Sequence, residues 1–97
     1  MEFEGEYLNG KKNGKGKEYE RHNKLKFEGE YLNGKKHGKG KEYNFLGFVG
    51  YEGEYLNGLK NGKGIQYSYD GKFLFEGEFL NDKRVQKKSN NKSCNIV

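Results

Sequence analysis

The sequence predicts an all-β protein: a single-layer antiparallel meander of about seven strands, built from stacked β-hairpins and followed by a disordered C-terminal tail. Three observations lead there. The chain repeats itself every 24 residues, its aromatics recur in step with its glycines, and its apolar content is too low for a closed two-layer core. Only 31% of the 97 residues are hydrophobic and aliphatics are scarce, so the 8 Tyr and 7 Phe carry most of the apolar surface. A chain with 34% charged residues ordinarily falls among disordered ones. Sixteen glycines spaced in register with the aromatics, and no proline, point instead to order through repetition.

The copies read FEGEYLNGKKNGKGKEYERHNKLK at 3–26, FEGEYLNGKKHGKGKEYNFLGFVG at 27–50, YEGEYLNGLKNGKGIQYSYDGKFL at 51–74 and a truncated FEGEFLNDKRVQKK at 75–88, without an insertion. In the first strand of each, Phe3, Gly5 and Tyr7 alternate with Glu4 and Glu6, the period-two pattern of a strand with one apolar and one polar face. The second strand is GKGKEY or GKGIQY, ending on Tyr19, Tyr43 and Tyr67. NGKKNG, NGKKHG and NGLKNG lie between them as loops rich in residues that tolerate positive φ. Between copies, Asp70-Gly71 is the strongest two-residue hairpin signal, with Leu46-Gly47 and His22-Asn23 as its equivalents.

Glycine normally weakens a strand, so Gly5, Gly29, Gly53 and Gly77 need a reason. A ring from a neighbouring strand is expected to lie over the bare backbone there, each well-buried ring contributing about 2 kcal/mol. On the other face the paired glutamates are expected opposite Lys15, Lys17, Lys39, Lys41 and Lys63, with exposed pairs contributing about 0.2–1 kcal/mol each. In the fourth copy Asn81-Asp82 replaces Asn-Gly and Val85-Gln86 stands in the loop, so the last strand is expected to end near Leu80. That divides the chain into a sheet domain at 1–82 and a basic tail at 83–97.

The pattern aromatic-E-G-E-aromatic-x-N-G-K-x-x-G-K-G resembles the MORN repeat and covers residues 3–82. The resemblance implies a scaffold that binds proteins. It also implies contacts with acidic phospholipid headgroups through the hairpin lysines, Lys11, Lys12, Lys35, Lys36 and Lys60. Lysines at a sheet edge also keep sheets from pairing, and the neutral body favours that reading.

Charge is divided sharply. Residues 1–82 hold all 14 acids and 14 of the 19 basic residues, whereas 83–97 hold Lys83, Arg84, Lys87, Lys88 and Lys92 without an acid. The chain closes on Cys94-Asn95-Ile96-Val97, which resembles a C-a-a-X prenylation signal with upstream basic residues. One lipid chain binds membranes marginally and a polybasic patch supplies the second signal, about 1 kcal/mol per cation near an anionic leaflet. These features predict a non-catalytic adaptor on the cytosolic side of a membrane, such as the plasma membrane, with a cytosolic pool. Its partners would be a protein and anionic lipids.

Other classes fit poorly. The glutamate pairs recur because the repeat recurs, which is unlike a tuned acid–base pair, and no catalytic constellation stands out. GKKNGKGK has the wrong spacing for a phosphate-binding loop. His22 and His37 read as turn residues without metal spacing, and one cysteine leaves neither a disulfide partner nor a zinc cage, so no metal or cofactor is expected. Nucleic acid is not an expected partner, because the aromatics are needed in the sheet and the body lacks a basic excess. MEFEGEY is acidic and already repeat-like, unlike a signal peptide. The rival readings are a soluble module that self-associates through its unpaired edge strands, 3–7 and 75–79, and a headgroup-binding module that uses the lysine-rich hairpin loops directly.

Overall fold

A strand whose one face is aromatic and the other charged is stable only where neighbours satisfy its backbone. The computed structural model describes residues 2–85 and places those neighbours in chain order. Strands β1 (Glu2–Leu8), β2 (Lys11–Glu20), β3 (Lys24–Leu32), β4 (Lys35–Tyr43), β5 (Val49–Leu56), β6 (Leu59–Tyr67), β7 (Phe73–Leu80) and β8 (Lys83–Arg84) form one antiparallel meander. The sheet is a thin ribbon with extents of 50 × 30 × 13 Å. The all-β meander read from the repeat is the architecture found, with eight strands rather than about seven.

Two kinds of turn alternate. Within each repeat Asn-Gly alone reverses the chain: Asn9, Asn33 and Asn57 lie at φ 53, 51 and 53°, and Gly10, Gly34 and Gly58 at 80, 88 and 89°. Two left-handed central residues make the turn whose twist matches its strands. The six-residue loops expected from the sequence are therefore two-residue turns, and the last four residues of each belong to β2, β4 and β6. There the register shifts around Gly14, Gly38 and Gly62, which bulge at positive φ. Glu6, Glu30 and Glu54 brace the bulges, their carboxylates accepting the backbone N–H of Lys15, Lys39 and Lys63 at 3.0, 3.1 and 2.9 Å.

Between repeats the turns are longer than the two residues expected. In residues 44–48 the Gly47 N–H donates to the Asn44 carbonyl and the Asn44 N–H to the Phe48 carbonyl, both at 2.9 Å. Residues 68–72 repeat this with Ser68, Gly71 and Lys72. Gly47 and Gly71 are left-handed, so each is a three-residue loop ending in a glycine bulge. The first turn differs, with a short 3-10 turn at Arg21–Asn23.

The fourth repeat corrects the expectation that the last strand ends near Leu80. Asn81 and Asp82 take φ 51 and 75°, the same left-handed pair as Asn-Gly. Asp82 holds that conformation through two bonds to one residue: its carboxylate accepts the Lys60 N–H at 2.8 Å, and its own N–H donates to the Lys60 carbonyl at 2.9 Å. Lys83 then pairs with Leu80 and Arg84 with Phe79. These two residues, grouped with the tail by composition, belong to the sheet.

Register aligns glycine with glycine across seven strands. Gly5, Gly16, Gly29, Gly40, Gly53, Gly64 and Gly77 are successive cross-strand partners. Rings fill the space their missing side chains leave: a Cβ on Gly16 would stand 2.5 Å from the Phe3 ring, on Gly40 2.6 Å from Phe27, and on Gly64 2.5 Å from Tyr51. The expected packing of ring on bare backbone is present with one correction. Over Gly5, Gly29, Gly53 and Gly77 the ring belongs to the residue two positions earlier in the same strand, and Phe3, Phe27 and Tyr51 reach across to the next strand's glycine as well.

Eight rings, in the order Tyr7, Phe3, Tyr31, Phe27, Tyr55, Tyr51, Phe79 and Phe75, touch edge to face with centroids 5.1–5.7 Å apart. Each contact contributes about 0.5–1.5 kcal/mol beyond area burial. Phe27 and Tyr51 are fully buried, and Tyr31, Tyr55 and Phe79 nearly so, within one layer of sheet.

Burial raises the phenols in this ladder. Tyr51 is pushed up to about 12. Tyr31, also hydrogen-bonded to Glu18 at 2.6 Å, and Tyr55, beside Glu42, are raised further. A phenol whose folded pKa lies above its unfolded value of about 10 stabilises the fold fully below that pH, and the contribution disappears as pH rises through the folded value. The urea midpoint is therefore expected to fall between pH 10 and 12, with phenolate absorbance growing in step with unfolding. Complete phenolate formation with the sheet signal intact would contradict this.

Candidate functional site

The face opposite the rings is polar, and the register sorts its side chains into two walls. Along one, Glu4, Lys17, Glu28, Lys41, Glu52, Ile65 and Glu76 are successive cross-strand partners. Along the other, Lys15 pairs with Glu30, Lys39 with Glu54 and Lys63 with Glu78. The expected opposition of glutamates to Lys15, Lys17, Lys39, Lys41 and Lys63 is thus present. Between the walls runs the glycine row, whose backbone floors a groove crossing the strands. Cavities of about 600 and 440 Å³ adjoin along it, sharing Glu28 and Lys39 as lining residues.

The acids of the groove are held by fixed donors. Tyr19, Tyr43 and Tyr67, the last aromatics of their strands, donate hydroxyls to Glu4, Glu28 and Glu52 at 3.2, 3.0 and 3.4 Å. These phenols are raised, first by burial and then by the carboxylates they face. On the second wall Glu6, Glu30 and Glu54 are held by the bulge N–H groups. Among the described residues, the ion pairs within 4 Å are Lys12–Glu18, Lys26–Glu20, Lys60–Glu42 and Lys72–Asp70, so none uses a groove lysine. Four glutamates on each wall outnumber the five lysines, and the surplus gathers at the β5–β7 end, where Ile65 stands in the position of Lys17 and Lys41.

The hairpin lysines separate into two groups. Lys11 and Lys35 are exposed just beyond the Asn-Gly turns. Lys12, Lys36 and Lys60 fold onto the aromatic face, their ammonium groups 4.5, 4.3 and 4.8 Å from the ring centres of Phe3, Phe27 and Tyr51. Arg84, read from the sequence as a tail cation, covers Phe75 at 4.6 Å and donates to the Gln66 amide oxygen at 2.8 Å. Lys83 is exposed in β8. The remaining tail residues singled out by sequence, Lys87, Lys88, Lys92 and Cys94, lie outside the described residues.

The period of the sheet and the match to a family model agree. Segments 3–19, 27–44, 51–73 and 75–85 match the model of the MORN repeat. The chain belongs to the MORN-repeat family. The fourth match runs through Lys83 and Arg84, in accord with the pairing of β8. A comparison with curated proteins finds no match. MORN repeats are structural interaction modules, which supports a scaffold-like role for this MORN protein.

Sequence reading found the charged face and missed its organisation. The tyrosine that ends each second strand was visible only as an aromatic, and nothing in its spacing marks the hydroxyl as a brace for a carboxylate one strand away. The division of the lysines has a signal: in Lys-Lys after Asn-Gly, strand alternation puts adjacent residues on opposite faces.

That division is measurable. Lys36→Ala removes a cation from over a buried ring and is expected to cost about 1 kcal/mol in urea unfolding. Lys35→Ala is expected to stay within about 0.5 kcal/mol of the parent. Equal costs would contradict the placement.

Proposed function

We propose that this MORN protein is a non-catalytic, membrane-associated adaptor. The glycine-floored groove takes up an extended segment of a partner protein, and the basic tail, prenylated at Cys94, holds the sheet at a cytosol-facing anionic membrane. The observation that carries the first half is a continuous groove whose carboxylates are fixed in place by tyrosine hydroxyls and bulge N–H groups. A rigid, pre-formed surface loses little entropy when a ligand settles on it.

The spacing sets what such a segment looks like. Two strands per repeat put equivalent carboxylates about 9.6 Å apart. Three residues of a polyproline II segment make one turn, advance about 9.3 Å and bring the side chain back to the same side. A segment lying along the groove with Lys or Arg at every third position therefore meets one carboxylate per repeat, and the acid surplus around Glu52 and Glu76 favours a basic segment. Screening by salt weakens such contacts.

For the second half, the division of the hairpin lysines favours the tail over the loops as the membrane contact. Lys12, Lys36 and Lys60 are committed to rings, leaving Lys11 and Lys35 as the exposed loop cations among the five. The lipid and the tail charges supply the two signals a stable anchor requires.

The groove is tested with a fluorescein-labelled 12-residue peptide bearing Arg at every third position. Anisotropy is expected to show binding at low salt, weakened several-fold by Glu52→Gln together with Glu76→Gln, and poorer binding of a scrambled peptide. Indifference to both changes would reject the groove. The anchor is tested by fractionating cells that express Cys94→Ser: the variant is expected in the soluble fraction, and unchanged membrane association would reject prenylation.

A further inference from the structure

One feature of the ribbon is not repeated. The turns between repeats lie along one long edge, and the first is polar, with Arg21, His22, Asn23 and Lys24. The next two carry Phe45, Leu46, Phe48, Tyr69, Phe73 and Leu74 on or beside them, all 46–62% exposed. None of these side chains serves the ring ladder or the groove.

The two turns are fastened together. The Phe45 and Tyr69 rings meet edge to face at 5.4 Å. The Asn44 side-chain amide donates to the Tyr69 carbonyl, and Lys24 Nζ to the Phe45 carbonyl, both at 2.8 Å. The Asn44 side-chain oxygen also accepts the Leu46 and Phe48 N–H groups. The backbone at the tips is thus satisfied from within, and what the turns offer outward is side chain.

We infer that this turn edge is the contact surface of a homodimer, two copies meeting through Phe45, Leu46, Phe48, Tyr69, Phe73 and Leu74. The exposed parts of the six side chains amount to on the order of 600 Å². Phe73 and Leu74, adjacent in β7, point to opposite faces, so this area wraps the edge, and taken together it is most of the roughly 800 Å² that each partner contributes to a standard interface. The patch is bounded by the polar first turn, so it suits a closed pair of like surfaces rather than an open stack. Its rim carries both signs, Asp70 beside Lys72 and Glu20 beside Lys26, so like edges can meet with opposite charges opposed. A lipid surface fits less well, because the exposed Asp70 carboxylate stands next to Tyr69 at the tip and would have to approach the bilayer with it.

This contact differs from edge-strand pairing and from the groove, and its test separates them. The full unlipidated chain, kept reduced so that Cys94 forms no crosslink, is sedimented from micromolar to several hundred micromolar. The expected result is a monomer–dimer equilibrium whose dissociation constant rises at least tenfold in Phe45→Ser/Tyr69→Ser, with the sheet signal in circular dichroism unchanged. A dimer insensitive to that double variant but lost on Glu4→Pro in β1 would overturn the proposal in favour of strand pairing. A chain that stays at 11.2 kDa throughout would overturn it outright. So would a monomer that floats with vesicles of phosphatidylserine and phosphatidylcholine and loses this on the same double substitution, which would assign the edge to lipid.

Discussion

Seven glycines on one register line, each with an aromatic ring where its side chain would be, are the constraint from which the rest of this sheet follows. A single layer of strands has no second layer to cover its apolar face, so its rings must find cover within the layer. Lying down on bare backbone is the way they do it. Phe3, Phe27 and Tyr51 each lie against a glycine on their own strand and one on the next. The tyrosine two turns of the meander further on then closes over the exposed edge of the ring. Close packing of this kind tolerates little change in shape, which is why one added methyl group on the row has nowhere to go.

The same row shapes the opposite face. Without side chains it is low ground between two lines of alternating glutamate and lysine, and the groove exists because the rings on the far side need glycine there. Stability and recognition are thus assigned to different faces of the same residues. The substitutions in the later repeats respect this. Where Phe79 lacks the hydroxyl that Tyr31 donates to Glu18, the position of Glu18 holds Gln66, which accepts from Arg84 instead. Tyr51 replaces phenylalanine, and its hydroxyl finds the Glu54 carbonyl at 3.0 Å. Asp82 replaces glycine and binds Lys60 through both its carboxylate and its N–H.

Much of this was legible in the amino-acid order. The 24-residue period and the alternation in FEGEY are enough for the meander, its apolar face and the cross-strand glutamates and lysines. What escaped reading depends on geometry that a linear pattern does not carry. Asn-Gly is a strong turn signal, yet the following Lys-Lys-Asn-Gly looks equally loop-like, and only the bulge at Gly14 returns those residues to a strand. Asp82 at positive φ looks like the end of a hairpin until Lys60, 22 residues earlier, is found beside it. The lysines after each turn look equivalent in composition and differ because a strand sends neighbours to opposite faces. The groove was hidden for the same reason: its floor and walls come from seven strands, and no single repeat contains it.

Ring and bare backbone are partners in this sheet, and a double-mutant cycle at Phe75 and Gly77 tests that most directly. The three atoms nearest a Cβ on Gly77 all belong to the Phe75 ring, the closest at 2.7 Å, and the pair lies at the end of the ladder, where substitution is best tolerated. In the parent, Gly77→Ala is expected to lower stability by about 1–3 kcal/mol, and in Phe75→Ala the same change is expected to cost little. An equal cost in both backgrounds would mean that the glycine is required for its backbone alone, and the packing proposed for this sheet would be wrong.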